Sequence, residues 1–201
     1  MTSVAQLWVC LVRGPDALAS ETGRAGVEAR RQLSHTAMDW CQQRLHLQLP
    51  NEQHDEHGAP LPHEGWHRSR SHSKLTAAAV CAPFRVGVDV EDIAPRRDEL
   101  VPRMCTRDEL ELLGGFSWSN AFRIWTAKEA VLKKQGVGLL ELSHCALTAV
   151  GDAYTLWVHH RGRDHQVHQV QADSMWAAIS HDGPATTSIH WHRLDHTGTA
   201  A

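Results

Sequence analysis

The run Val86-Gly87-Val88-Asp89-Val90-Glu91 sets two carboxylates into an otherwise apolar stretch. Alternate side chains of an extended strand share a face, so Asp89 and Glu91 point the same way. Like charges side by side repel unless something cationic sits between them, and oxygen ligands of this kind suit Mg²⁺ or Mn²⁺. Some forty residues later comes Trp125-Thr126-Ala127-Lys128-Glu129-Ala130-Val131-Leu132-Lys133. It reads as a helix with Glu129 and Lys133 one turn apart on one face. A third carboxylate and two lysines, Lys128 and Lys133, aimed at a metal-bearing strand suit a substrate rich in phosphate. The strand must therefore lie where this helix can reach it.

Taken together, the two runs resemble the Sfp-type branch of the 4'-phosphopantetheinyl transferases. The strand matches G-[VI]-D-[VI]-E over Gly87 to Glu91, and the helix matches W-x-x-K-E-A/S-x-x-K over Trp125 to Lys133. Either pattern alone is weak; both in order at this distance are specific. Ser71-His72-Ser73 ahead of the acidic strand matches the family's S-H-S run.

The resemblance implies an α+β pseudo-dimer of two similar halves with the active site between them, here 1–85 and 86–201. It implies transfer of the phosphopantetheine arm of coenzyme A to a serine of an apo acyl or peptidyl carrier protein, releasing 3',5'-ADP. The residues it marks for metal are Asp89, Glu91 and Glu129, for Mg²⁺ or Mn²⁺. Glu129 also matches the proposed general base, and Lys133 stands with it in catalysis. Coenzyme A contacts fall to Ser71, His72, Lys74, Lys128 and Lys133, and to Arg30 or Arg31 on the first helix. Glu109 is either a partner of the metal site or the N3 residue of a capping box begun by Thr106.

This chain departs from the family pattern before the acidic strand. Gly58-Ala59-Pro60 carries alanine where a lysine or arginine is usual. Lys74 stands where glycine is expected, and the strand leading into Ser71 carries Arg68 and Arg70 in place of apolar residues. One of Arg68, Arg70 and Lys74 is expected to supply the missing phosphate contact.

Periodicity places a strand at 4–12, an amphipathic helix at 27–46, loop at 50–66, and strands at 76–82 and 86–93. Helices follow at 108–113 and 117–134, the second stopped by Gly136. Strands are expected at 145–150, 155–160, 166–170, 175–180 and 186–192, with a frayed tail after Asp195. Ser71-His72-Ser73 and Ser180-His181-Asp182 suggest a weak internal repeat.

A net charge of −3 gives no sign of a nucleic-acid binder. Five scattered cysteines without C-x-x-C spacing fit a reducing cytoplasm. The N-terminal run reads as a strand and not a signal peptide, and no stretch approaches the roughly 20 apolar residues of a membrane span. Two covalently joined halves are expected to work as a monomer. His54, His57, His63 and His67 lie in a proline-rich loop that suits a zinc site poorly. The rival reading is a catalytically silent module of the same fold that binds coenzyme A or a carrier protein.

Overall fold

The computed structural model describes residues 4–200. Its elements are β1 (Gln6–Arg13), α1 (Gly23–Arg44), β2 (His67–His72), β3 (Thr76–Ala82), β4 (Val86–Asp92), α2 (Val101–Met104), α3 (Arg107–Leu112), α4 (Trp118–Gln135), β5 (Cys145–Asp152), β6 (Thr155–His160), β7 (Arg163–Ala172), β8 (Met175–His181) and β9 (Ser188–Asp195). The α+β class expected from the sequence holds.

Two sheets, ordered β2-β3-β1-β9 and β4-β8-β7-β6-β5, form the centre. Leu7, Val9, Leu11 and Val80 of the first share one apolar cluster with Val86, Val88, Val90 and Ile179 of the second. Helix α1 covers the outer face of the first sheet, its Leu33, Ala37, Met38 and Cys41 clustering with Cys10, Val12, Ala77 and Ala79. Helix α4 does the same for the second sheet, through Ile124, Ala127, Ala130 and Val131 beside Leu156, Val158 and Val167. The layers therefore run helix, sheet, sheet, helix. Every residue of β3 is buried, and its four alanines let α1 and the second sheet close in from opposite sides.

Both halves use one connectivity. In the first, a strand, a helix and a hairpin give the order β2-β3-β1 with antiparallel neighbours. In the second, β4, α4 and the β7–β8 hairpin give β7-β8-β4 in the same sense. The sequence match at Ser180-His181-Asp182 does not follow this repeat. Ser71-His72 ends β2, whose counterpart is β7, whereas Ser180-His181 ends β8.

Strand β9 leaves the second half and runs parallel to β1, from Gln6 beside Ser188 to Arg13 beside Asp195. A cut at residue 85 thus separates β1 from its neighbour in the same sheet. Residues 196–199, expected to fray, form a turn in which Asp195 Oδ1 accepts from the Thr197 and Thr199 amides. The 50–66 loop is likewise organised: Asp55 Oδ1 accepts from the His57 and Ala59 amides at 2.9 Å each.

Helix α4 ends as its sequence requires. Ser117 caps it by accepting from the Asn120 amide, and Gly136 stops it in the left-handed region at φ 71°. No helix among the described residues is long and apolar enough to cross a membrane.

Candidate active site

Gly87 decides how closely α4 lies on β4. A Cβ there would fall 2.1 Å from the Ala130 carbonyl oxygen and 2.4 Å from the Lys134 amide nitrogen. A bare α-carbon lets helix backbone rest on strand backbone, which sets the Glu129–Lys133 face of α4 against Asp89 on β4.

At that contact Lys133 Nζ donates to Asp89 Oδ1 at 2.6 Å and to Ser71 Oγ at 2.8 Å. Ser71 Oγ donates in turn to Asp89 Oδ1 at 2.7 Å. Glu129 Oε2 lies 3.8 Å from the same ammonium. Burial alone would lower the Lys133 pKa, but Asp89 and Glu129 outweigh it and raise it. The carboxylates suffer the opposite imbalance. Burial, then Asp89 and Glu129, push Glu91 up to about 8, and burial with Asp89 pushes Glu129 up to about 7. Lys133, with Arg96 acting on Glu91, does not offset the crowding and burial of the acids in so small a volume.

Serines hold β2 to β4 so that this cluster forms. Ser69 Oγ accepts from the Val88 amide at 3.0 Å, and Ser71 bonds Asp89. Ser73 Oγ donates to Asp92 Oδ2 at 2.6 Å. Asp92 also accepts from the Leu75 amide and the Thr76 hydroxyl, clamping the β2–β3 turn to the end of β4. Sequence reading missed Asp92; its signal was a third acid directly after Glu91, on the opposite strand face.

A cleft of about 390 Å³ opens beside the cluster, lined by α1, the 50–66 loop, β2 and the end of α4. Arg31, His72, Arg68, Arg70, Ser71 and Lys133 all line it. Arg30 does not; its guanidinium reaches back to the Glu21 carbonyl at 3.3 Å. It lies close enough to His72 to act on it, however. Partial burial, then Lys133, Arg30 and Arg70, hold the His72 pKa below the usual imidazole value. Lys74 is exposed in the turn after β2 and does not line the cleft.

Lys128 requires a correction. It is buried on another side of α4, where its ammonium pairs with Glu109 at 2.7 Å and donates to the Met104 carbonyl at 3.3 Å. It neighbours Glu129 in sequence, but successive helical residues diverge by about 100°. Lys128 therefore cannot reach a ligand in the cleft in this arrangement. Glu109 completes a capping box with Thr106 and accepts from the Leu147 amide at 2.7 Å. That resolves its two readings in favour of the cap, joined to a buried ion pair.

The donor set suits a divalent cation chemically. Asp89 Oδ2 is buried with no hydrogen-bond partner, and Lys133, with Arg96 acting on Glu91, leaves Glu91 and Glu129 under-neutralised. Among the described residues, however, no three His, Cys, Asp or Glu side chains converge on one point. Closing around an ion therefore calls for side-chain rotation of these carboxylates, of which Glu91 and Glu129 are only partly buried.

A family model described as the 4'-phosphopantetheinyl transferase superfamily matches residues 85–189, just over half of the chain. The matched stretch begins immediately before β4 and includes α4 and the whole second sheet. No curated protein matches the chain.

Proposed function

Because the chain belongs to the 4'-phosphopantetheinyl transferase superfamily, we propose that it moves the phosphopantetheine arm of coenzyme A to a serine of an apo acyl or peptidyl carrier protein. The contact of Asp89, Lys133 and Ser71, with Glu129 alongside and Asp89 Oδ2 unpartnered, is the observation that carries this reading. It gathers Ser71 of β2 with residues of β4 and α4 beside a cleft of about 390 Å³ that Ser71 and Lys133 line.

Asp89, Glu91 and Glu129 would hold Mg²⁺ or Mn²⁺, which when bound supplies charge neutralisation to a diphosphate. Lys133 presents its ammonium beside the carboxylates and offsets charge that develops on the phosphate oxygens in the transition state. His72 and Arg31 line the cleft where the nucleotide end of coenzyme A would extend. Glu129 is raised to about 7 when no ion is bound, and a bound cation would lower it again, so its part as general base rests on position and not on basicity. It takes the proton of the acceptor serine while the serine oxygen bonds to the β-phosphorus. The bond from that phosphorus to the bridging oxygen breaks, and 3',5'-ADP leaves with the electron pair.

A silent binding module has one observation in its favour: Lys133 already occupies Asp89 Oδ1. Incubation with coenzyme A, Mg²⁺ and an apo carrier protein separates the readings by mass spectrometry. Transfer adds the phosphopantetheine arm to the carrier. A panel of apo acyl and peptidyl carriers that all stay unmodified would leave binding without transfer.

A further inference from the structure

The buried charges of α4 do not end with Lys128 and Lys133. Lys134 follows Lys133 directly and turns away from the cleft. Its side chain is 2 % exposed, and its ammonium lies 2.8 Å from Asp182 Oδ1 and 2.8 Å from His165 Nδ1. An ammonium can only donate, so His165 accepts at Nδ1 and carries its proton on Nε2. Burial, then Lys134, hold the His165 pKa down at about 4, which leaves Asp182 as the countercharge. Asp182 is itself fixed. Its amide donates to the Arg85 carbonyl at 2.9 Å, at the end where β4 and β8 pair Val86 with His181. The Lys134 backbone meanwhile rests against Gly87 of β4.

Burial lowers the Lys134 pKa in spite of Asp182. Buried ion pairs of this kind add little stability over apolar residues of the same volume. What an apolar side chain would not supply is direction. A helix held by apolar contact alone can turn about its axis. A turn of about 20° carries a group at the roughly 6 Å radius of the side-chain surface through about 2 Å. That is enough to open the 2.6 Å hydrogen bond from Lys133 to Asp89. We propose that Lys134, through Asp182 and His165, is a positioning residue that fixes the rotation of the last turn of α4 and so keeps the Lys133 ammonium on Asp89 and Ser71. The proposal rests on the reading of Lys133 as the group that offsets charge on the phosphate oxygens.

Lys134→Met keeps the aliphatic stem and removes both hydrogen bonds. Transfer is measured for wild type, Lys134→Met, Lys133→Met and the double variant, at a temperature where thermal melts show each fully folded. Lys134→Met is expected to lower kcat at least about tenfold, the scale of a misplaced catalytic group. KM for coenzyme A should change less than about twofold, and the loss should vanish in the Lys133→Met background, because the two residues act as one unit. An unchanged kcat, or an equal loss with and without Lys133, would make Lys134 a residue of stability only and overturn the proposal. A second readout needs no turnover: the Lys133 Nζ signal in ¹H–¹⁵N spectra of the protein without added Mg²⁺, assigned by its loss in Lys133→Met. An ammonium held on Asp89 and Ser71 exchanges its protons slowly, so the signal should be visible in wild type and broadened in Lys134→Met. A signal absent from wild type, or unaltered in the variant, would also overturn the proposal. Should Lys134→Met not fold, Asp182→Asn decides by the same measurements. If wild type modifies no carrier, the proposed function falls, and the spectra still decide whether Lys134 places Lys133.

Discussion

Lys133 Nζ and Asp89 Oδ1 meet at 2.6 Å although 44 positions separate them in the chain. One comes from the last turns of α4 and the other from an edge strand, so their contact measures how α4 lies on β4. It also leaves Asp89 Oδ2 unpartnered on the other side of the same carboxyl group.

Asp89→Asn keeps the shape of that side chain and removes its charge. Transfer of the arm should fall by at least about a hundredfold, the scale seen when a preorganised electrostatic group is lost at a reacting centre. Steady-state rates with a carrier protein that proves to be a substrate provide the measurement. A variant that runs near the wild-type rate would take Asp89 out of the site.

Raised carboxyl pKa values make a prediction about pH. Glu91 at about 8 and Glu129 at about 7 bind protons in the folded state that an unfolded chain has already released. Stability from these groups therefore falls as pH rises, from about 4.5 through the folded values. The histidines held below their usual pKa act oppositely, at lower pH, so the clean window runs from about pH 6.5 to about 8.5. Across it, the metal-free protein should lose melting temperature more steeply than Glu91→Gln, and added Mg²⁺ should flatten the wild-type curve. Parallel curves for the two proteins would refute the charge imbalance.

Lys128→Met should separate stability from binding. Breaking its buried pair with Glu109 costs about 3–5 kcal/mol, or roughly 2–4 °C of melting temperature per kcal/mol for a chain of this size. Adding Glu109→Gln, which retains an acceptor for the Leu147 amide, should recover part of that loss. Coenzyme A affinity of the folded variant should stay within about twofold of wild type. A large loss of affinity without a loss of stability would return Lys128 to the cleft.

Gly87→Ala adds a single methyl where helix backbone already lies within 2.4 Å of the position it would take. The helix must move or the strand must bend, at a cost of at least about 1–3 kcal/mol. Because Glu129 and Lys133 ride on that helix, activity should fall further than stability alone accounts for. Thermal melts and transfer rates measured side by side would show it, and a variant unchanged in both would contradict the close approach.

Sequence by itself determined the strand carrying Asp89 and Glu91 and the helix carrying Glu129 and Lys133. Alternation, helical spacing, Ser117 and Gly136 are local signals that hold wherever the segments pack. It also fixed which acids could share a face, since that follows from period alone. Tertiary structure decided which neighbours they meet. Lys128 and Lys133 look equivalent in the helix run, yet one is sealed against Glu109 and the other reaches Asp89. Arg68 and Arg70 look equivalent in β2, yet Glu52, far away in the chain, neutralises only one of them. Nor does a local pattern show β9 crossing to pair with β1, because strand partners are chosen by the cores they close. Charge pairing and burial depend on what arrives from distant segments, and that information resides in the packing.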